Sequence, residues 1–112
     1  SDGSFQIGRL GWIADYPTMD NFMYPNFYSS ADNNYSKYNN PDVDSAIDEA
    51  RKITDDDQRK AAYRDITKTI SKDLPVIPIM FYAHNHVGSE RTKTMFYDAQ
   101  GKAHLYAAEL SS

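Results

Sequence analysis

Residues 40–74 carry the pattern that most constrains the fold. Asn40 is followed by Pro41, with Asp42 and Asp44 close behind. An amide side chain accepts from the free N–H groups of a helix's first turn, proline suits the first helical position, and the helix dipole favours acids there. From that start Val43, Ala46, Ile47, Ala50 and Ile53 recur at the spacing of one helical face. A second helix is expected from Thr54, with Asp55, Asp56 and Asp57 in its cap and first turn. Its buried stripe is Ala62, Tyr63, Ile66, Ile70 and Leu74, while Arg59, Lys60, Lys68 and Lys72 face water. The two helices are joined too tightly for anything but a hairpin or a sharp corner, and Pro75 closes the second.

The flanks are less regular. Residues 5–14 bring Phe5, Ile7, Leu10, Trp12 and Ile13 together with Gly8 and Gly11, which predicts a strand open to close approach by a ligand or another backbone. Residues 16–40 are rich in Asn, Ser, Asp, Pro and aromatics and show no period; one helical turn is expected at 20–24. Loops of that length are functional or mobile. Residues 76–83 are strand-like, and Pro78 puts that strand at an edge or a bulge. A hairpin over 94–97 and 103–107, turning at Asp98-Ala99-Gln100-Gly101, ends an α/β outline of strand, long loop, two helices, strand and hairpin.

Composition narrows the function. With 112 residues there is room for one modest core. The net charge is −4, and the 12 Lys and Arg form no run, which argues against a nucleic-acid partner. No stretch approaches the roughly 20 apolar residues of a membrane span. The absence of cysteine excludes thiol catalysis, disulfides and cysteine-based zinc sites. The opening Ser1-Asp2-Gly3, without methionine or secretory signal, suggests a processed or excised segment. Tyrosine is the one compositional excess, nine residues beside five Phe and one Trp, and amphipathic aromatics suit surfaces that grip ligands.

Candidate sites thin out quickly. Asp42, Asp44 and Asp48 lack the glycine and distal glutamate of a calcium loop, and helix capping accounts for them. His84 and His86 would leave the same face of a strand, but metal sites want three or four ligands and no third is nearby. There is no Gly-flanked serine elbow and no phosphate loop, so neither an enzyme nor a cofactor is expected. What remains is Arg9, Trp12, Asp15 and Tyr16: a planar cation for a carboxylate, a stacking surface, and an acceptor for an ammonium. If the run stayed extended, Arg9 and Asp15 would share a face about 20 Å apart, a span that fits separate parts of one extended zwitterion.

Several strings, taken in order, resemble one family. They are Gly11-Trp12-Ile13-Ala14-Asp15-Tyr16-Pro17, Asn21-Phe22, the segment from Asn34 to Tyr38, and Asn40-Pro41-Asp42-Val43-Asp44. Asp55-Asp56-Asp57-Gln58-Arg59 with Tyr63 follows, then Lys72-Asp73-Leu74-Pro75-Val76-Ile77-Pro78. The set is similar to the C-terminal region of ABC-transporter solute-binding proteins of the peptide, dipeptide and nickel class (family 5). The resemblance implies part of a type II periplasmic-binding fold: residues 5–17 as strand and ligand-contact turn, 41–74 as two helices, 75–112 as strand and hairpin. It implies that Asp15 anchors a peptide's α-amino group, that Trp12 lines a side-chain pocket with Tyr16 beside it, and that Arg9 meets the carboxylate of a short peptide. Asp15 speaks against the nickel branch. The loop from Pro17 to Asp32 departs from better-known members, which puts pocket shape in question.

The partners so implied are an oligopeptide and, through the full-length protein, the membrane permease of an importer, outside the cytoplasm in a periplasm or on a surface lipoprotein. One wall of a two-lobed trap is expected to bind peptide weakly alone, and self-association would cover an orphaned core. Two other readings start from the same residues. One is a carbohydrate- or other small-solute-binding module stacking on Trp12 and the tyrosines; the other is a metal-dependent enzyme built on His84 and His86.

Overall fold

A computed structural model describes residues 5–111, so that Ser1-Asp2-Gly3 lies outside the described residues. The chain divides into two compact units between Pro78 and Ile79. The first unit is helical: α1 (Asp20–Phe27), α2 (Pro41–Lys52) and α3 (Asp56–Asp73). Asn40 caps α2, its side-chain oxygen accepting from the backbone N–H groups of Asp42 and Val43, and Asp55 caps α3 by accepting from Gln58 N at 2.9 Å. Met23, Val43, Ile47, Ala50, Tyr63, Ile66 and Ile70 form the core, with Tyr24, Phe27, Tyr28 and Tyr38 packed against it. Each fully buried aliphatic side chain stabilises by roughly 1.5–3 kcal/mol relative to its exposed state, so these few residues hold the three helices together.

Two helical expectations need correction. The single turn at 20–24 is a helix of two turns, and Pro25 lies inside it. Pro25 cannot donate to the carbonyl four residues back. Met23, buried in the core, holds α1 in place despite that loss. The stripe of α3 stops at Ile70, because Leu74 is 63% exposed and left-handed (φ 49°, ψ 48°). Pro75 disfavours the helical conformation at the residue before it, and the switch swings Leu74 off the buried face.

The long segment between α1 and α2 is ordered around one side chain. Asn34, 3% exposed, donates to the carbonyls of Tyr28 (3.2 Å) and Tyr38 (2.7 Å). Its oxygen accepts from Tyr38 N (3.1 Å) and Ser36 Oγ (2.9 Å). In the first turn of α2 Asp44 accepts from Ser29 N, and a turn further on Asp48 accepts from the Tyr28 hydroxyl. Two acids of α2 therefore tie down the chain between α1 and α2.

The second unit holds an antiparallel pair, β1 (Thr92–Tyr97) and β2 (Ala103–Leu110), in register at Phe96↔His104 and Tyr97↔Ala103 and irregular towards Thr92↔Leu110. The connection follows from Asp98, whose carboxylate accepts from Gln100 N and Lys102 N, and from Gly101, whose φ of +76° suits glycine. A Cβ at Gly101 would also meet the His84 ring at 2.9 Å. The strands expected at 5–14 and 76–83 are absent: both segments are irregular. A strand exists through its ladder, and among the described residues no neighbouring strand pairs with either segment. Pro78 removes a donor from the second as well. The chain as described is thus mixed helix and strand, with its helices in one unit and its strands in the other.

Candidate functional site

The turn from Trp12 to Tyr16 is fastened to the first turn of α1 by two adjacent residues. Asn21 is 3% exposed, and its side-chain oxygen receives both the Trp12 indole N–H (3.3 Å) and the Asp15 backbone N–H (2.8 Å). Asp20 receives the Tyr16 hydroxyl on one oxygen (3.3 Å). On its other oxygen it receives the Tyr63 hydroxyl from α3 (2.9 Å) and faces Arg51 Nε of α2 at 3.3 Å. One carboxylate thus joins the turn to all three helices. Arg51 lies over the Tyr24 ring at 4.4 Å, a cation–π contact that holds the guanidinium in place.

Burial first, then the Asp20 hydrogen bond, pushes the Tyr63 hydroxyl well above its ordinary pKa, so it stays a donor. The half-exposed Arg51 keeps Asp20 from standing as a lone charge against the core.

Of the four expected site residues, Trp12 and Asp15 are brought together through Asn21, and Tyr16 through Asp20. Arg9 is exposed and takes no part in these bonds. The run from residue 8 to residue 14 is irregular without a bend, and bends flank it at residues 6–7 and 15–18. Trp12 is half-buried and Asp15 exposed. Among the described residues the Asp15 carboxylate has no hydrogen bond or ion pair, although its backbone N–H is fixed. Chemically, the turn presents an open carboxylate beside an indole whose edge is tethered.

Asp20 and Asn21 carry this arrangement, and sequence reasoning assigned neither a role. Asn21 belongs to one of the quoted strings, but its partners lie six and nine residues back across an irregular turn, a relation no periodicity reveals.

His84 and His86 do not converge. Their rings are stacked 6.3 Å apart with 11° between planes, and His86 stacks in turn on Tyr97 at 3.5 Å. No group of three or more His, Cys, Asp or Glu able to hold a metal occurs among the described residues. Asp42 and Asp44 lie in the first turn of α2, and Asp44 and Asp48 bond Ser29 and Tyr28 at the end of α1.

Comparison with known proteins defines the class. Over 82 residues, 73% of its length, the chain is 33% identical to the periplasmic oligopeptide-binding protein OppA of Escherichia coli K12. It is 26% identical over 101 residues, 90% of its length, to the oligopeptide-binding protein OppA of Bacillus subtilis 168. Over 80 residues it is 29% identical to heme-binding protein A of Haemophilus influenzae. The chain is homologous to solute-binding proteins of family 5, and its counterparts there are the oligopeptide-binding proteins, whose C-terminal part it matches. It spans 15–18% of the length of these relatives. No protein-family model matches the chain, and no solved structure does.

Proposed function

We propose that the chain is the C-terminal ligand-contacting segment of an extracytoplasmic oligopeptide-binding protein with the two-lobed type II periplasmic-binding fold, serving an ABC importer and catalysing nothing. In this reading Asp15 receives the peptide's α-ammonium group, Trp12 borders a side-chain pocket, Tyr16 flanks it, and Arg9 lies on the approach to the peptide's far end. The observation that carries the reading is the Asp15 turn itself: a carboxylate left open on a backbone whose N–H is bound to a buried amide. Such a group is held ready for a cationic partner, and closing a second lobe over the pair would remove water and strengthen a charge-assisted hydrogen bond. Main-chain bonds to an extended peptide would supply affinity without reading sequence.

The test is titration calorimetry on the full-length protein with a tri- to pentapeptide mixture. Asp15→Ala is expected to weaken binding by about 2–5 kcal/mol, the usual loss when a buried charge is stranded. Unchanged affinity contradicts the anchoring role. A second reading, capture of a flat apolar solute stacked on Trp12, draws on the relative named for heme. Such a ligand needs no acid, and its affinity would be indifferent to Asp15.

A further inference from the structure

The two bonds that meet on Asn21 have a consequence beyond local tidiness. A single acceptor oxygen receives one donor from a side chain, the Trp12 indole, and one from the backbone, at Asp15. Its own residue cannot shift: the side chain is buried, Asn21 N donates to Thr18 O at 3.2 Å, and Met23 two residues on is in the core. The preceding residue is locked to α2 and α3 through Arg51 and Tyr63. The oxygen is therefore a fixed point, and the indole edge and the Asp15 backbone are both set from it. A bond to one donor would leave the other group free to turn; receiving both fixes their spacing.

We propose that Asn21 is the positioning residue of the ligand-contact turn, holding the Trp12 indole and the Asp15 backbone as one preformed unit before any ligand arrives. It touches no ligand itself and acts through the other two. Preorganisation of this kind raises affinity by lowering the ordering cost at binding. That last step rests on the reading of Asp15 as the ligand's anchor; the positioning does not.

The chain offers a direct reporter, because Trp12 is its single tryptophan. Hydrogen exchange of the Trp12 indole N–H and the Asp15 amide, followed by NMR in the 112-residue chain, reads the two bonds without ligand. Both are expected to be protected in the parent. In Asn21→Ala both should exchange about tenfold faster, while the amides of Ile47 and Ile66 keep their parental rates. Asn21→Asp retains an oxygen acceptor and should keep both sites slow. Rescue of protection by the variant that keeps an acceptor is a result a merely space-filling residue would not produce.

Absent protection in the parent, or equal rates in the parent and Asn21→Ala, overturns the proposal. So does rapid exchange at the two sites in Asn21→Asp with the helices intact. If Asn21→Ala also loses the protection of Ile47 and Ile66, the comparison of the parent with Asn21→Asp decides by the same criterion. In the full-length protein, Asn21→Ala and Asp15→Ala should weaken peptide binding by less together than the sum of their separate effects. Slow exchange combined with peptide affinity indifferent to Asp15 would leave the positioning intact and remove the anchor reading.

Discussion

Tyr38, Asn40 and Asp73 show how single side chains join distant parts of the first unit. The Tyr38 hydroxyl and the Asn40 amide both donate to one oxygen of Asp73, so the cap of α2 is fastened to the last residue of α3. The bond from Tyr38, then that from Asn40, lowers the Asp73 pKa below its ordinary 3.8. Burial, then the same bond to Asp73, raises Tyr38 from 10.0 to about 12. The signs follow from linkage. Asp73, with a depressed folded pKa, contributes stability above about pH 4 that is lost as pH falls further. Tyr38, with a raised folded pKa, contributes stability below pH 10 that is lost as pH climbs towards 12. Urea unfolding across pH should show both limbs. Tyr38→Phe is expected to flatten both in part, Tyr63 and Tyr28 keeping an alkaline limb of their own; parental slopes on both sides in the variant would contradict this.

Residue types marked Arg9, Trp12, Asp15 and Tyr16 as candidates in the sequence, and the last three are those tied to Asn21 and Asp20. Asp20, Asn21 and Asn34 were not legible there, because each acts through partners in loops or on other helices.

Among the elements, α2 and α3 were plain in the sequence because a helix closes its own hydrogen bonds and advertises its buried face every three or four residues. The strands at 5–14 and 76–83 were not reliable readings. Alternating apolar residues say that a segment is suited to a sheet, but a neighbour decides whether a ladder forms. The hairpin could be anticipated because Asp98 and Gly101 bring its two strands together locally. Leu74 gives a test at this scale. A left-handed residue at a helix end is ordinarily glycine, and a side chain there costs about 1 kcal/mol. Leu74 is largely exposed and has little burial to lose. Leu74→Gly should raise the unfolding free energy of the chain by up to about 1 kcal/mol in urea titration. A loss of stability would mean that Leu74 makes a packing contribution its exposure does not indicate.

At the scale of the whole molecule, apolar surface is the dominant feature. Ile7 is 94% exposed, Phe81 104% and Val87 99%, and Ile77, Ile79 and Leu105 are also open to water. Four of these six residues lie in 5–14 and 76–83, the irregular segments whose composition suits a strand, where open apolar side chains are available to other protein. If the chain is one wall of a larger binding cleft, the 112 residues alone should bind a tri- to pentapeptide mixture too weakly to register in calorimetry. Low-micromolar binding by the chain alone would show that the second wall is dispensable.

The central claim is that the open carboxylate of Asp15 takes a positive chain end. Affinities of free and N-acetylated forms of the same peptides for the full-length protein test it most directly. Acetylation should weaken binding by about 2–5 kcal/mol in the parent and by much less in Asp15→Ala. Equal affinity of the parent for blocked and free peptides would contradict the account.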